Sequence, residues 1–96
     1  MFLEKYLNSV YLNLLYDKYE EWYLNELDES KFIKIYNLFK NYGFYFINDI
    51  IVYYLEIFEY DEEDVNTGIL KLREELGEDF VYIIGNNMSY LDKILD

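Results

Sequence analysis

Two apolar stripes at helical spacing, each followed by a glycine, constrain the fold of this chain more than any other feature. The stripes are Phe32, Ile35, Tyr36 and Phe39, and then Val65, Ile69, Leu72 and Leu76. Intervals of three and four residues place side chains on one face of an α-helix. Gly43 and Gly77 then stand where a helix commonly ends in a residue with positive φ. We therefore expect a helix to end at each glycine, with Ser30 and Asp61 as the N-caps.

The segments outside these two stripes also follow helical spacing. Residues 2–27 carry two apolar stripes that are out of phase, which predicts either one long helix whose buried face rotates or a break near Asp17. We favour a break or bend. Residues 45–60 are apolar enough for a buried strand, but their polar and aromatic residues recur at helical intervals. This polar stripe consists of Asp49, Tyr53, Glu56, Tyr60 and Glu63. Residues 79–95 complete the pattern, with a kink expected at Gly85.

A weak internal repeat relates the two glycine-ended stripes. When the sequence is shifted so that Gly43 falls on Gly77, several apolar residues after the glycines also coincide, such as Ile50 with Ile84. We therefore expect an all-α fold of about five helices, with two glycine-punctuated αα-hairpins in the C-terminal two-thirds. The helices are expected over 2–27, 31–42, 45–60, 62–76 and 79–95. The alternative is an α+β fold with short strands near 50–58 and 80–84, where Ile, Val, Tyr and Phe are abundant.

The chain of 96 residues contains no Cys and no His, and this absence excludes several classes of site. Disulfide frameworks, zinc fingers, and Cys–His or Ser–His–Asp catalysis all need one of these residues. The acid run 61–64 also fails the calcium-loop template, since Asn66 stands where Gly is needed and Leu72 where Glu is needed. We expect one compact acidic domain over 1–96 that is not an enzyme and has no catalytic, cofactor-binding or metal-binding residues.

The net charge of -12 lies mostly in the second half of the chain. Residues 1–48 hold 7 acids and 5 bases, whereas residues 49–96 hold 13 acids and 3 bases. Most of these acids fall in two groups, which we call the 56–64 patch and the 74–79 patch. The 56–64 patch is Glu56, Glu59, Asp61, Glu62, Glu63 and Asp64, and the 74–79 patch is Glu74, Glu75, Glu78 and Asp79. The negative field of such a chain repels nucleic acid and anionic membranes, so we expect neither as a direct partner.

Two interpretations of the acidic patches are open. Acids at the start of a helix favour the helix dipole and, like most charge runs, form a solvated face, which accounts for 61–64. The same dipole disfavours Glu74 and Glu75 near the end of the second glycine-ended helix, which favours a role in recognition, although solubility alone would also suffice. A recognition surface of this kind, flanked by Tyr53 and Tyr60, would bind a basic protein, because carboxylates match guanidinium groups.

Basic grooves are mainly nucleic-acid-binding sites, so a chain that fills one would act as a nucleic-acid mimic and block a nuclease or its effector complex. In size, acidity and aromatic content this chain is similar in kind to viral anti-defence inhibitors, such as anti-CRISPR and anti-restriction proteins, and to immunity proteins that neutralise nuclease toxins. The resemblance is one of composition and covers no specific residue. A further alternative is a non-catalytic structural or adaptor homodimer joined through the Tyr-rich N-terminal half. There Tyr16, Tyr19, Trp22 and Tyr23 are expected at the edge of the core.

No segment has the pattern of a signal peptide or the roughly 20 apolar residues of a membrane span. The longest apolar run covers only residues 50–55. We therefore expect a cytoplasmic protein, in the host cytoplasm if the chain is viral.

Overall fold

Helices account for all the regular structure in the computed structural model, which describes residues 1–95. The α-helices are α1 (Ser9–Lys18), α2 (Glu21–Asn25), α3 (Glu29–Tyr42), α4 (Ile47–Tyr53), α5 (Glu62–Leu76), α6 (Phe80–Asn86) and α7 (Asp92–Leu95). Short 3₁₀ helices span Phe2–Lys5, Leu55–Glu59 and Met88–Leu91. The all-α prediction is confirmed, with seven α-helices over this range in place of about five. The alternative with strands is not supported, since 80–84 lies inside α6 and 50–58 is helical apart from Tyr54.

The start of α3 differs from the prediction by two residues. Asp28 is its N-cap, because Asp28 Oδ1 accepts the backbone N–H groups of Ser30 at 2.9 Å and Lys31 at 3.3 Å. Ser30 was predicted to be the cap and is not. Its hydroxyl instead donates to the same carboxylate oxygen at 2.7 Å. A carboxylate in this position satisfies helix N–H groups that have no partner inside the helix.

The two helix-ending glycines are confirmed as residues with positive φ. Gly43 has φ 90° and ψ 21°, the left-handed conformation of a helix end, and its N–H donates to the Lys40 and Phe39 carbonyls. Gly77 has φ 87° and ψ -165°, so it turns the chain without continuing into a left-handed turn. Asp61 occupies the N-cap position of α5, but its side chain accepts no capping hydrogen bond.

The predicted long helix over 2–27 is divided at two places. Asn8 caps α1 and separates it from the preceding 3₁₀ helix, because Asn8 Oδ1 accepts the N–H groups of Val10 and Tyr11. A second break falls at Tyr19, which is extended with φ -129° and ψ 146°. The bend that we expected near Asp17 therefore lies two residues later.

The predicted helix over 45–60 ends early, at Tyr53, and continues as a 3₁₀ helix after Tyr54. The buried positions explain the break. They are Ile50, Ile51 and Val52 before Tyr54, and Leu55, Ile57 and Phe58 after it. A single α-helix cannot turn all six toward one side, since their spacing covers most of its circumference. The change of direction at Tyr54 lets both segments bury their apolar residues.

The last predicted helix, over 79–95, is divided as well. α6 ends at Asn86 rather than bending at Gly85, and a 3₁₀ helix and α7 follow. Instead, Gly85 allows the side chains of Tyr45 and Phe46 to pack closely against the backbone of α6. A Cβ atom added there would lie 2.7 Å from the Tyr45 hydroxyl oxygen and 3.0 Å from the Phe46 ring.

The internal repeat is visible in the order of the elements. The shift that places Gly43 on Gly77 also carries α3, α4 and the 3₁₀ helix 55–59 onto α5, α6 and the 3₁₀ helix 88–91, with starting residues that agree within one position. Equivalent residues are also buried together. The pairs are Ile35 and Ile69, Phe46 and Phe80, Ile50 and Ile84, and Ile57 and Leu91. The same buried pattern therefore specifies the same sequence of elements twice.

One hydrophobic core draws on all parts of the described chain, from Leu3 to Ile94. Phe32 lies at its aromatic centre, with ring centroids 4.9 Å from Phe58, 5.3 Å from Phe2 and 5.0 Å from Tyr6. Every buried side chain among residues 1–95 is apolar. The carboxylates therefore lie on the surface, and the packing of the core sets the position of each one.

Candidate functional site

The 56–64 patch lies where the 3₁₀ helix 55–59 meets the first turn of α5. All six of its acidic side chains are exposed. Between them, Tyr60 is half-buried, and its hydroxyl donates to the Leu95 carbonyl oxygen at 3.2 Å. At this bend, Glu59 from the 3₁₀ helix and Asp61 and Asp64 from the start of α5 line one shallow groove.

Two carboxylates of the patch are held by tyrosines from the N-terminal half. The Tyr19 hydroxyl donates to Glu56 Oε1 at 3.0 Å, and the Tyr23 hydroxyl donates to Glu59 Oε2. The two phenol rings stack with centroids 5.4 Å apart. Burial and these hydrogen bonds raise the pKa of both tyrosines, because ionisation would place a second negative charge beside each carboxylate.

Lysines of α3 offset part of the charge of the 56–64 patch. Lys31 Nζ lies 3.3 Å from the Glu59 carbonyl oxygen and 3.6 Å from Asp61 Oδ1. Lys34 lines the same shallow groove as Tyr60 and the acids 61–63. These pairs are exposed, and ion pairs of this kind contribute little stability.

The structure adds two acids that sequence analysis did not include. Glu26 and Asp28, from the turn between α2 and α3, lie beside Glu59 across a cleft of about 250 Å³. Its lining consists of Glu26, Leu27, Asp28, Lys31, Phe32, Phe58 and Glu59. Ser30 was expected to cap a helix, but no sequence pattern connects residues 26–28 with residue 59. Only the packing of α3 against the 3₁₀ helix does so.

The 74–79 patch is closer to electrical balance. Lys93 Nζ lies 2.6 Å from Glu75 Oε2, and Arg73 Nη2 lies 3.6 Å from Glu78 Oε1. The bond from Lys93 also compensates Glu75 for its unfavourable place near the end of α5. Glu75 therefore needs no recognition role to account for its position. Glu74 and Asp79 are exposed, and neither forms an ion pair with residues 1–95.

The two patches remain apart, at opposite ends of α5. A helix of 15 residues is about 20 Å long at roughly 1.5 Å per residue. Between its acidic ends the outward face carries Leu70, which is 45% exposed, and its neighbour Lys71. The two patches therefore form separate surfaces.

Tyr53, the other predicted aromatic neighbour of the acids, lies against α1. Its ring is half exposed, and Lys18 Nζ lies 4.8 Å from the ring centroid. The break at Tyr54 has removed Tyr53 from the polar stripe that was predicted to continue through Glu56 and Tyr60.

The N-terminal aromatic residues divide into two kinds. Tyr19 and Tyr23 are half-buried, whereas Trp22 is 61% exposed and Tyr16 is 45% exposed. The four aromatic residues were expected at the edge of the core, and Tyr19 and Tyr23 do lie there. Trp22 and Tyr16 stand outside the core.

Comparisons with protein-family models, with curated proteins and with solved structures found no match. Within residues 1–95, no three carboxylates are arranged to hold a metal ion. The same residues include no helix with the length and hydropathy of a membrane span.

Proposed function

We propose that this chain is a small acidic inhibitor that occupies a basic, nucleic-acid-binding surface of a target protein. The observation that supports this proposal is the size of the acidic surface around the 56–64 patch. Glu26 and Asp28 extend the six acids of that patch to eight exposed carboxylates, and two lysines, Lys31 and Lys34, line the same clefts. The 74–79 patch is a secondary contact in this proposal, because its own bases offset it.

The proposed mechanism is competition with nucleic acid. A surface with this excess of carboxylates attracts Lys- and Arg-rich grooves and speeds the encounter with them. Tyr19 and Tyr23 hold Glu56 and Glu59 in place, so less side-chain entropy is lost when these two bind. Viral anti-defence, such as anti-CRISPR or anti-restriction activity, is the setting that this mechanism suits best. Action inside the cell is part of the proposal.

Capture from a cell lysate tests the proposal. Immobilised protein should retain nucleic-acid-binding proteins, and duplex DNA added in excess should release them, because it competes for the same basic groove. The triple variant Glu59→Lys, Glu62→Lys and Glu63→Lys should lose this capture by at least about tenfold. Its circular dichroism spectrum should stay helical, because all three side chains are exposed.

A matched control separates the patch from the net charge. Glu4→Lys, Asp17→Lys and Glu20→Lys make the same change in charge at exposed positions of the N-terminal half. This variant should keep most of the capture. Equal loss in both variants, or retention that DNA does not affect, would contradict the proposed function.

An adaptor or homodimer role is the second candidate, and the exposure of Trp22 favours it. Large aromatic residues on a surface are enriched in protein interfaces. Under this alternative, Trp22→Ala would abolish association, and charge reversal in the 56–64 patch would have little effect. Light scattering over a dilution series measures self-association directly. An immunity protein would use the same acidic surface, and a neighbouring toxin gene would distinguish it from a viral inhibitor.

A further inference from the structure

The cleft between the α2–α3 turn and the 3₁₀ helix 55–59 combines an apolar floor with a charged rim. Leu27, Phe32 and Phe58 form the floor, and Glu26, Asp28, Lys31 and Glu59 form the rim. Its volume of about 250 Å³ is below the roughly 300–1,000 Å³ of small-molecule sites. It suits one long side chain of a partner protein.

The rim leaves acceptor atoms available to such a side chain. Asp28 uses Oδ1 for the helix cap, and Glu59 uses Oε2 for the Tyr23 hydroxyl. The second oxygen of each carboxylate accepts no hydrogen bond from residues 1–95, and Glu26 forms no ion pair there. These three carboxylates stand on both sides of the cleft, and each can accept from a cationic head group.

The chain's own Lys31 shows that a cation is held at this rim. Its ammonium group lies 3.3 Å from the Glu59 carbonyl oxygen and 3.6 Å from Asp61 Oδ1, on the side of the cleft toward α5. Within residues 1–95, Lys31 is the one base among the residues that line the cleft, against the three acids Glu26, Asp28 and Glu59.

The internal repeat indicates that this chemistry is not required by the fold. The shift that places Gly43 on Gly77 takes Lys31 to Val65, Phe58 to Asp92 and Glu59 to Lys93. Phe32 likewise falls on Asn66 but Asp28 falls on Glu62, so the second unit forms the same order of elements without the aromatic floor and with a base in place of Glu59.

We infer that this cleft receives an arginine side chain of a basic partner. The methylenes of the arginine would pack on Leu27 and Phe58, and its guanidinium group would donate to the second oxygens of Asp28 and Glu59. Arginine fits better than lysine, because its planar head offers five donors and is less strongly hydrated than an ammonium group. The inference rests on the proposed function, since it names the anchor by which a basic partner is bound.

Nuclear magnetic resonance titration with blocked tripeptides tests the cleft without a partner protein. The probes are acetyl-Gly-Arg-Gly-amide, its lysine equivalent and its neutral citrulline equivalent. We expect the arginine peptide to shift the amide signals of Leu27, Phe32 and Glu59 and to bind at least about threefold more tightly than the lysine peptide. The citrulline peptide should produce no such shifts.

Charge-matched variants separate the cleft from general attraction to an acidic protein. Glu59→Gln keeps an acceptor for Tyr23 and should weaken arginine binding about fivefold, whereas Glu74→Gln should change it by less than about 1.5-fold. Lys31→Met should tighten binding about threefold, and Arg73→Met, with the same change in net charge, should not.

The outcomes are distinct. Equal affinity for arginine and lysine peptides, shifts spread over α5 and α6, or equal effects of the Glu59 and Glu74 variants would each overturn the cleft as an arginine site. Because the titration uses no partner protein, a negative result would overturn the arginine site but would not affect the lysate test of the proposed function. Conversely, failure of the DNA-sensitive capture would remove the proposed function while the measured preference of the cleft for arginine remained.

Discussion

At the scale of the residue, tyrosine hydroxyls connect the two halves of the chain. Tyr19 lies at the break between α1 and α2 and Tyr23 lies within α2, and each donates to a glutamate that lies 36 or 37 residues further on. A phenol suits this place because its ring packs against neighbours while its hydroxyl reaches the surface. The bonds fix carboxylates that would otherwise move freely.

These two tyrosines predict a loss of stability at high pH. Their pKa values are raised in the folded protein, so the stability that they contribute is complete below the ordinary tyrosine pKa of about 10 and is lost as the pH rises above it. Urea unfolding of the wild type at about pH 8 and about pH 11 should show this loss. The variant Tyr19→Phe, Tyr23→Phe should lose less between the two pH values. The exposed pair Tyr16→Phe, Tyr82→Phe is the control and should behave like the wild type.

Asp28 predicts a loss of stability at low pH. The Ser30 hydroxyl and the capped N–H groups lower the pKa of Asp28, so its contribution is present above the ordinary aspartate pKa of about 4 and disappears as the pH falls below it. Asp28→Ala should lower the thermal midpoint at neutral pH by several degrees, whereas Asp28→Asn should preserve it, because asparagine also caps helices. Ser30→Ala should have the smaller effect. If Ser30→Ala were the more damaging change, the assignment of the cap would be wrong.

At the scale of the element, burial decides where helices stop. Neither proline nor glycine lies between Phe44 and Asp61, and the chain still leaves the α-helical path at Tyr54. The reason is that apolar residues on both sides of Tyr54 must enter the same core. A local propensity for helix is worth less than about 1 kcal/mol per residue, whereas burying a large apolar side chain is worth about 1.5–3 kcal/mol.

The inward orientation of the 3₁₀ helix 55–59 predicts two costly substitutions. Leu55→Ala and Ile57→Ala should each reduce the free energy of unfolding by about 2–5 kcal/mol, because both side chains are fully buried. Leu70→Ala, at a position that is 45% exposed on α5, should cost less than about 1 kcal/mol. Urea denaturation followed by circular dichroism measures all three. A small effect at Leu55 or Ile57 would mean that this segment does not face the core.

At the scale of the whole molecule, net charge opposes folding. The longest dimension is 38 Å, which is comparable with the Debye length of about 30 Å at 0.01 M ionic strength. Charges at opposite ends therefore still repel one another at low salt. The ion pairs are on the surface and contribute little against that repulsion.

Salt should therefore stabilise this protein. Between about 0.01 M and about 0.1 M sodium chloride, we expect the thermal midpoint to rise by several degrees, because the Debye length falls to about 10 Å. The variant Glu74→Gln, Asp79→Asn removes two exposed carboxylates that form no ion pair with residues 1–95, and it should begin with a higher midpoint at low salt and gain less from added salt. A midpoint that falls as salt is added would show instead that ion pairs outweigh the repulsion.

The sequence by itself determined the class of the fold and the glycine-ended helices. The stripes before Gly43 and Gly77 depend on contacts between residues three and four apart, and such local spacing can be read directly along the chain. The same holds for the internal repeat, which predicted two hairpins and appears in the structure as the same three elements in the same order. The exposure of the two acidic patches also follows from their composition, because isolated charges are costly to bury.

Only the tertiary structure decided which residues share a surface. The break at Tyr54 moved Tyr53 toward Lys18, and packing of α3 brought Glu26 and Asp28 beside Glu59. Tyr19 and Tyr23 likewise reached Glu56 and Glu59 from the other half of the chain. These neighbours lie far apart in the sequence, and the burial of many side chains at once sets their positions. The amount of charge is therefore a property of the sequence, whereas its compensation by Lys31, Arg73 and Lys93 is a property of the fold.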